Sequence, residues 1–465
     1  MKGRKQKVRR NSSLFGKAPA EQGKAERVPT FVWITEADDF TVTQRKEGLL
    51  DQILCPYNLN RAYQRVVKNK GSHGIDGMKV GALASYLQIH GREIVQSIRQ
   101  GNYRPNPVRR VEIPKDNGKT RPLGIPTVVD RWVQQAISQV LVPIYEKEFS
   151  PHSYGFRPGR SQHQALLQSQ EILSEGYRYA VDLDMEKFFD TVNHSYLITL
   201  LSEQLKEGSV ISLIHKYLNA GVVIGHKFEA STDGVPQGGP LSPLLSNVML
   251  NVLDQELTKR GHRFVRYADD MIIFSKGRKG AERLKRTVTR FIEDRLYLRV
   301  NKEKTQVVPM WQIKFLGYSF YKWKGKVRFR VQAKSINRLK DKMRAITNKS
   351  NGLGYQRRKT LLSQTIKGWI NYYKFAEMKT IMQRLDEWLR RRIRAFTWKN
   401  WKRVRTRFKE LKRLGADTSK AWEHANTRKG HWRIAKSPVL HKTLTDEVLR
   451  EQGYVSLKTY YLSVH

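Results

Sequence analysis

Two adjacent acids inside a strand-forming run constrain this chain's fold more than any other feature. In FVRYADDMIIF (264–274), Asp269 and Asp270 interrupt an otherwise apolar, β-branched and aromatic stretch. Strand residues on both sides fit a hairpin whose tip displays the carboxylates. Neighbouring carboxylates repel, and a cation beside them removes the penalty. Hard oxygen ligands suit Mg²⁺, which binds through one or two carboxylates plus substrate phosphates. The simpler explanation is an exposed turn, where Asp is common, and YADD alone is a weak signal.

A second acidic motif shifts the balance. YAVDLDMEKFFD (179–190) is an apolar strand ending in Asp182 and Asp184. Strand alternation puts both on one face. If this strand lies beside the 264–274 hairpin, Asp184, Asp269 and Asp270 converge, a set able to hold two Mg²⁺ ions for in-line phosphoryl transfer. The chain is expected to turn helical after Asp184, so that Phe188 shares a face with it. Asp182 reads as a surface acid and Asp190 as a local cap or pair.

The charge balance names the class of partner. Lys and Arg number 87 against 42 Asp and Glu, a net charge of +45. That far exceeds what solubility needs and points to a polyanion, nucleic acid before an anionic membrane. No run of about 18 apolar residues could span a bilayer, and the basic N-terminus lacks the apolar core of a secretory signal. The single cysteine, Cys55, excludes an internal disulfide or a cysteine-based zinc site and fits a reducing cytoplasm.

At 465 residues, the chain is expected to form two to four units. Residues 1–47 read as a basic arm, either a solvated tail or an auxiliary RNA contact. Apolar residues recur at helical intervals over 48–70 and again over about 79–99. Residues 108–127 read as a hairpin around Asn117–Gly118, with a helix following to about 146. Strands and helices then alternate without a clean βαβ repeat, which defines an α+β fold. Helical patterns dominate from about 335. IMQRLDEWLRRRIRAFTWKNWKRVRTRFKEL reads as one long helix with Leu385, Trp388, Leu389, Ile393, Phe396, Trp401, Val404 and Phe408 as its apolar stripe. Its basic residues, among them Arg390, Arg391, Arg394, Lys402, Arg403 and Arg405, are expected to face nucleic acid.

Taken together, RPLGIPTVVDRWVQQAI, SYGFRPGRS, DMEKFFD, VPQGGPLSPLLSNVML, RYADDMIIF, FLGYSF, GWINYYKFA and ANTRKGHWR occur in an order that resembles a bacterial group II intron-encoded reverse transcriptase and maturase. The resemblance covers about residues 48–460. It implies a right-hand polymerase: a helical extension of the fingers at 48–100, fingers and palm at 101–330, a thumb or maturase region at 331–411, and a DNA-binding segment at 412–465. The missing cysteine pairs, with no room for an endonuclease domain, resemble the compact class C enzymes.

The resemblance also implies roles. Asp184, Asp269 and Asp270 would ligate two Mg²⁺ ions. Lys115 and Arg121, flanking the fingertip turn, would meet the dNTP β- and γ-phosphates. Gln237, in the glycine-rich VPQGGP, would contact nucleotide or template. Phe188 would be an aromatic steric gate against ribonucleotides, or else simply core. Tyr267 would pack under the primer end. Arg157 would touch the template or be an exposed turn arginine. Trp369, Tyr372 and Tyr373 are read first as thumb core and second as stacking groups. The implied activity is RNA-directed DNA synthesis, with intron RNA binding, splicing assistance and retrohoming; the implied partners are intron RNA, a template–primer duplex, target DNA and dNTPs, with no membrane. A retron or defence reverse transcriptase and a non-catalytic splicing cofactor are the alternatives.

Overall fold

The computed structural model describes residues 48–465 except 115–117, 119 and 226. The basic arm and Lys115 therefore lie outside the described residues. The chain opens with helices Leu49–Leu54, Pro56–Asn69 and Leu83–Arg99. They pack with Val128–Glu146, whose Thr127 N-cap accepts from the Asp130 amide. Asp130 in turn holds the Tyr103 hydroxyl at 2.8 Å. Buried residues surround most of this helix, which makes it the central strut of the first core.

Strands β1 (Val108–Pro114) and β2 (Thr120–Ile125) pair antiparallel, with Pro114 opposite Thr120. Two short strands, β4 (Val222–Ile224) and β5 (Lys227–Glu229), extend that sheet. The sheet that positions the site is formed by β3 (Tyr179–Leu183), β6 (Phe264–Tyr267), β7 (Asp270–Ser275) and β8 (Gln306–Pro309), ordered β6-β7-β3-β8 and antiparallel throughout. Its side chains alternate between two cores. Val181, Leu183, Phe264, Met271 and Ile273 join the core under the N-terminal helices. Ala180, Val265, Ile272 and Phe274 join a second core shared with the C-terminal half.

A small sheet links palm and thumb: β9 (Lys314–Phe315), β10 (Tyr318–Trp323) and β11 (Lys326–Val331). Helices Ala333–Ile346, Tyr355–Tyr372 and Lys379–Asn400 follow, then a cluster of short helices ending with Leu457–Val464. Helices and antiparallel strands mixed through the first two thirds, followed by helices alone, make this an α+β right hand.

The long C-terminal helix is not continuous. It stops at Asn400 and a second helix starts at Val404. Arg407 donates to the Trp401 carbonyl at 2.9 Å, capturing an acceptor freed at the break. Nor does its arginine face wholly meet solvent. Arg390 pairs with Asp446 at 2.8 Å, Arg391 lies 3.9 Å over the Trp432 ring, and the buried Arg394 donates to the Leu444 carbonyl. These cations fasten the C-terminal cluster to the helix, whereas Lys402, Arg403 and Arg405 stay exposed.

Candidate active site

The site grows from one register. β3 pairs with β7 so that Asp182 faces Ile272 and Leu183 faces Met271. Continuing one residue carries Asp184 to the level of Asp270. Across the β6–β7 hairpin Tyr267 pairs with Asp270, leaving Ala268–Asp269 as a two-residue turn. Ala268 adopts a left-handed φ of 58°, a strained state for a residue with a Cβ, worth about 1 kcal/mol or more.

Three devices hold that turn. The fully buried Arg266 guanidinium donates to the Ala268 carbonyl at 3.0 Å. Its other donors engage the buried Asp254 carboxylate at 2.9 and 3.0 Å from Nε, and Asn247 Oδ1 at 2.9 Å. From the opposite side Gly155 lies so close that a Cβ there would stand 2.1 Å from the Ala268 nitrogen. Only glycine permits this backbone approach. No sequence pattern pointed to Arg266, Asp254 or Gly155; the only hint was an arginine inside an apolar strand.

Four carboxylates meet here. Burial, then Asp184, push the Asp182 carboxyl up to about 6. Asp270, beside the turn, keeps exposed surface, while its carboxyl is partly desolvated by the neighbouring chain. Desolvation there, followed by Asp269, Asp182 and Asp184, raises it to about 6. Asp182 is thus a half-buried member of the cluster, contrary to the surface acid expected from sequence. Lys304 Nζ donates to both Asp184 oxygens at 3.0 and 3.1 Å. The Asp184 backbone is tied to Thr305 and Asn301.

Among the described residues, no three His, Cys, Asp or Glu side chains close into a ready metal cage. The donors nevertheless fit a hard divalent cation. They are all carboxylate oxygens, burial and neighbouring carboxylates raise two of them, Asp182 and Asp270, and Asp184 already draws an ammonium.

The remaining candidate residues divide. Arg121 on β2 donates from Nε to Gln237 Oε1 at 2.8 Å, joining two residues 116 positions apart. Gly238, at φ 125°, does make a close approach, but to the Gly124 carbonyl of β2: an added Cβ would lie 2.7 Å from that oxygen. In VPQGGP this glycine serves packing against the hairpin.

Phe188 is buried, and its ring meets Phe189 edge-on at 5.1 Å. The expected helix after Asp184 is absent. Met185 bridges to Val300, Lys187 turns left-handed at φ 46°, and Phe188–Asp190 form a single 3₁₀ turn. Helical spacing therefore does not set where the Phe188 ring points.

Arg157 does not reach outward as expected. It is buried and donates to the Ser150 and Ser153 carbonyls at 2.6 and 2.8 Å. Its remaining nitrogens clamp Glu146. With every arm engaged internally, it braces the loop that carries Gly155.

Tyr267 is half-buried beside the thumb-side core. Of the thumb aromatics, Tyr373 is core and bonds Ser335, while the Tyr372 hydroxyl donates to the Leu316 carbonyl at 3.0 Å, tying thumb to palm. Trp369 and Tyr372 line an open groove of about 960 Å³ together with Lys334, Arg338 and Lys342.

This fold and carboxylate cluster define a right-hand nucleic-acid polymerase. Residues 113–320 match the family "Reverse transcriptase (RNA-dependent DNA polymerase)", and residues 336–415 match "Group II intron, maturase-specific domain". The chain is 30% identical to the group II intron-encoded protein LtrA of Lactococcus lactis subsp. cremoris, over 68% of each chain. It is 34% identical to the protein YkfC of Escherichia coli, over 57% of this chain and 80% of that one. A retron Mx65 reverse transcriptase of Myxococcus xanthus is more distant, 26% identical over 50% of this chain and 52% of its own. The chain belongs to the group II intron-encoded reverse transcriptase and maturase family, and is a reverse transcriptase with a role in intron splicing. It handles RNA and uses divalent metal, and among the described residues no helix is long and apolar enough to cross a membrane.

Proposed function

We propose that this enzyme binds a group II intron RNA, assists its splicing and copies it into DNA during retrohoming, in the cytoplasm of a bacterial cell. The observation that carries the reading is the convergence of Asp184, Asp269 and Asp270 from β3 and the β6–β7 turn. These three would hold two Mg²⁺ ions, with the Asp182 carboxyl next to them in the same cluster. Divalent ions held by these carboxylates would supply Lewis-acid activation of a hydroxyl nucleophile and charge neutralisation at the phosphate. Lys304, paired with both Asp184 oxygens in this structure, would yield that carboxylate to a bound cation. Arg121 and Lys115 take the β- and γ-phosphates at the fingertip, and Gln237, held by Arg121, lies against the incoming nucleotide or template. Tyr267 supports the primer end.

Fingers and palm span 101–330 behind the helical extension 48–100, the thumb spans 331–411, and 412–465 contacts target DNA, as in the class C enzymes. Extension of a DNA primer on an RNA template, lost on chelation and restored by Mg²⁺, tests the reading. Chelator-resistant extension would overturn it.

Phe188 sets sugar choice. Its ring is buried in a packed core and cannot easily move aside, so a 2′-hydroxyl beside it would clash. Phe188→Ala is expected to raise the rNTP to dNTP ratio of kcat/KM at least about tenfold, the scale of a one-group pocket discrimination, with some overall loss from the cavity. An unchanged ratio in a variant that still extends primers places sugar selection elsewhere.

A further inference from the structure

The β10–β11 hairpin presents a face to which the polymerase chemistry gives no role. Alternation sends Tyr318, Phe320, Val327, Phe329 and Val331 into the core, all buried. The opposite face carries Ser319, Tyr321 and Trp323, paired across the strands with Arg330, Arg328 and Lys326. Trp323 is 56% exposed, with the exposed Lys326 opposite it and the exposed Arg330 further back along the same face, opposite Ser319. The Arg330 guanidinium lies 4.9 Å over the Tyr321 ring, and Arg328 is held by Glu377 at 2.7 Å.

The hairpin closes at Lys324–Gly325 with φ of 47° and 79°, a primed turn that keeps the two strands tightly twisted. β10 begins beside Leu316–Gly317, the turn that Tyr372 ties to the thumb. Its six residues then carry Trp323 roughly 17 Å further on, at ~3.4 Å per residue. Trp323 therefore sits at the far end of the hairpin from that turn.

The chemistry of this face is selective. It holds an exposed indole, a phenol and three cations, and no aliphatic side chain that a protein partner would need for an apolar interface core. Cations interleaved with aromatic rings bind polyanions that also offer flat rings. A duplex hides its bases from an indole, whereas unpaired nucleotides expose theirs. We propose that this face is a docking platform for unpaired RNA nucleotides, with Trp323 stacking on a base, Lys326 meeting the phosphate beside it and Arg330 a phosphate further along the strand.

The test uses the full chain and an unstructured single-stranded RNA of about 20 nucleotides, a few binding-site lengths, carrying 4-thiouridine. Photocrosslinks should map to residues 319–330. Trp323→Ala should weaken binding about tenfold, the scale of one lost stacking contact, and Trp323→Phe should restore most of it. Lys326→Ala with Arg330→Ala should flatten the slope of log K against log salt by roughly 1.4, at ~0.7 per phosphate for a single strand. Extension of a preformed template–primer should be unchanged in all of these variants, which separates the platform from the palm. Unchanged RNA affinity and salt slope, or crosslinks confined to other segments, would overturn the proposal. A DNA strand of equal length and sequence that binds as tightly, with the same loss in Trp323→Ala, would overturn the assignment to RNA.

Discussion

Asp269→Asn is expected to lower single-nucleotide extension on an RNA template by about a thousandfold or more, the scale of losing one fixed electrostatic stabiliser of a transition state. Asn keeps the shape of the side chain and removes its charge. The turn itself should survive, because it is held through backbone atoms: Arg266 grips the Ala268 carbonyl and Gly155 packs against the Ala268 nitrogen. RNA affinity should barely move, since one charge changes against a net +45. Single-turnover incorporation, compared with filter binding of the same RNA, makes the measurement. Extension within tenfold of wild type would remove Asp269 from the metal-binding set.

Asp254→Ala should unfold the palm rather than merely slow it. The Arg266–Asp254 pair is fully buried, with both side chains at 0% exposure. Removing one partner leaves a guanidinium uncompensated in the core, at a cost of about 3–5 kcal/mol. Denaturant unfolding followed by Trp fluorescence should show the loss. Replacing both residues, Asp254→Leu with Arg266→Met, removes the stranded charge and should recover most of that stability. Extension should nevertheless stay low, because the Ala268 carbonyl loses its donor and the carboxylates of the turn lose their registration. Misplacement of about 1 Å can cost roughly a hundredfold in rate. If the double variant extends primers normally, Arg266 is a packing element and not a positioning residue.

The two predictions rest on features of different visibility. The carboxylate turn could be read from the chain because its signal is local. Apolar alternation marks β6 and β7, and the interruption of that alternation marks the tip. The same holds for the β1–β2 hairpin around Gly118 and for most helices, whose apolar periodicity follows from a backbone repeat. Composition correctly implied a polyanionic partner because charge sums without reference to position.

Charge sums do not say which cations face water. Arg157, Arg266, Arg390, Arg391 and Arg394 look alike in sequence, yet each is engaged inside the protein with a partner 7 to 56 residues away. The break after Asn400 carries neither glycine nor proline between Asn400 and Val404, so local propensity gave no warning of it. Asp182 looked like a surface acid because nothing nearby in the chain shows that β3 is central, flanked by β7 and β8. Nor could spacing show that Lys187 turns left-handed and ends the supposed helix before Phe188. The sequence by itself determined most of the elements, the acidic motifs and the sign of the partner's charge, since periodicity and composition are properties of short windows and of sums. The tertiary structure alone decided which charges are structural, how the carboxylate turn is braced and where the Trp323 face lies, since burial and ion pairing depend on neighbours that only folding brings together.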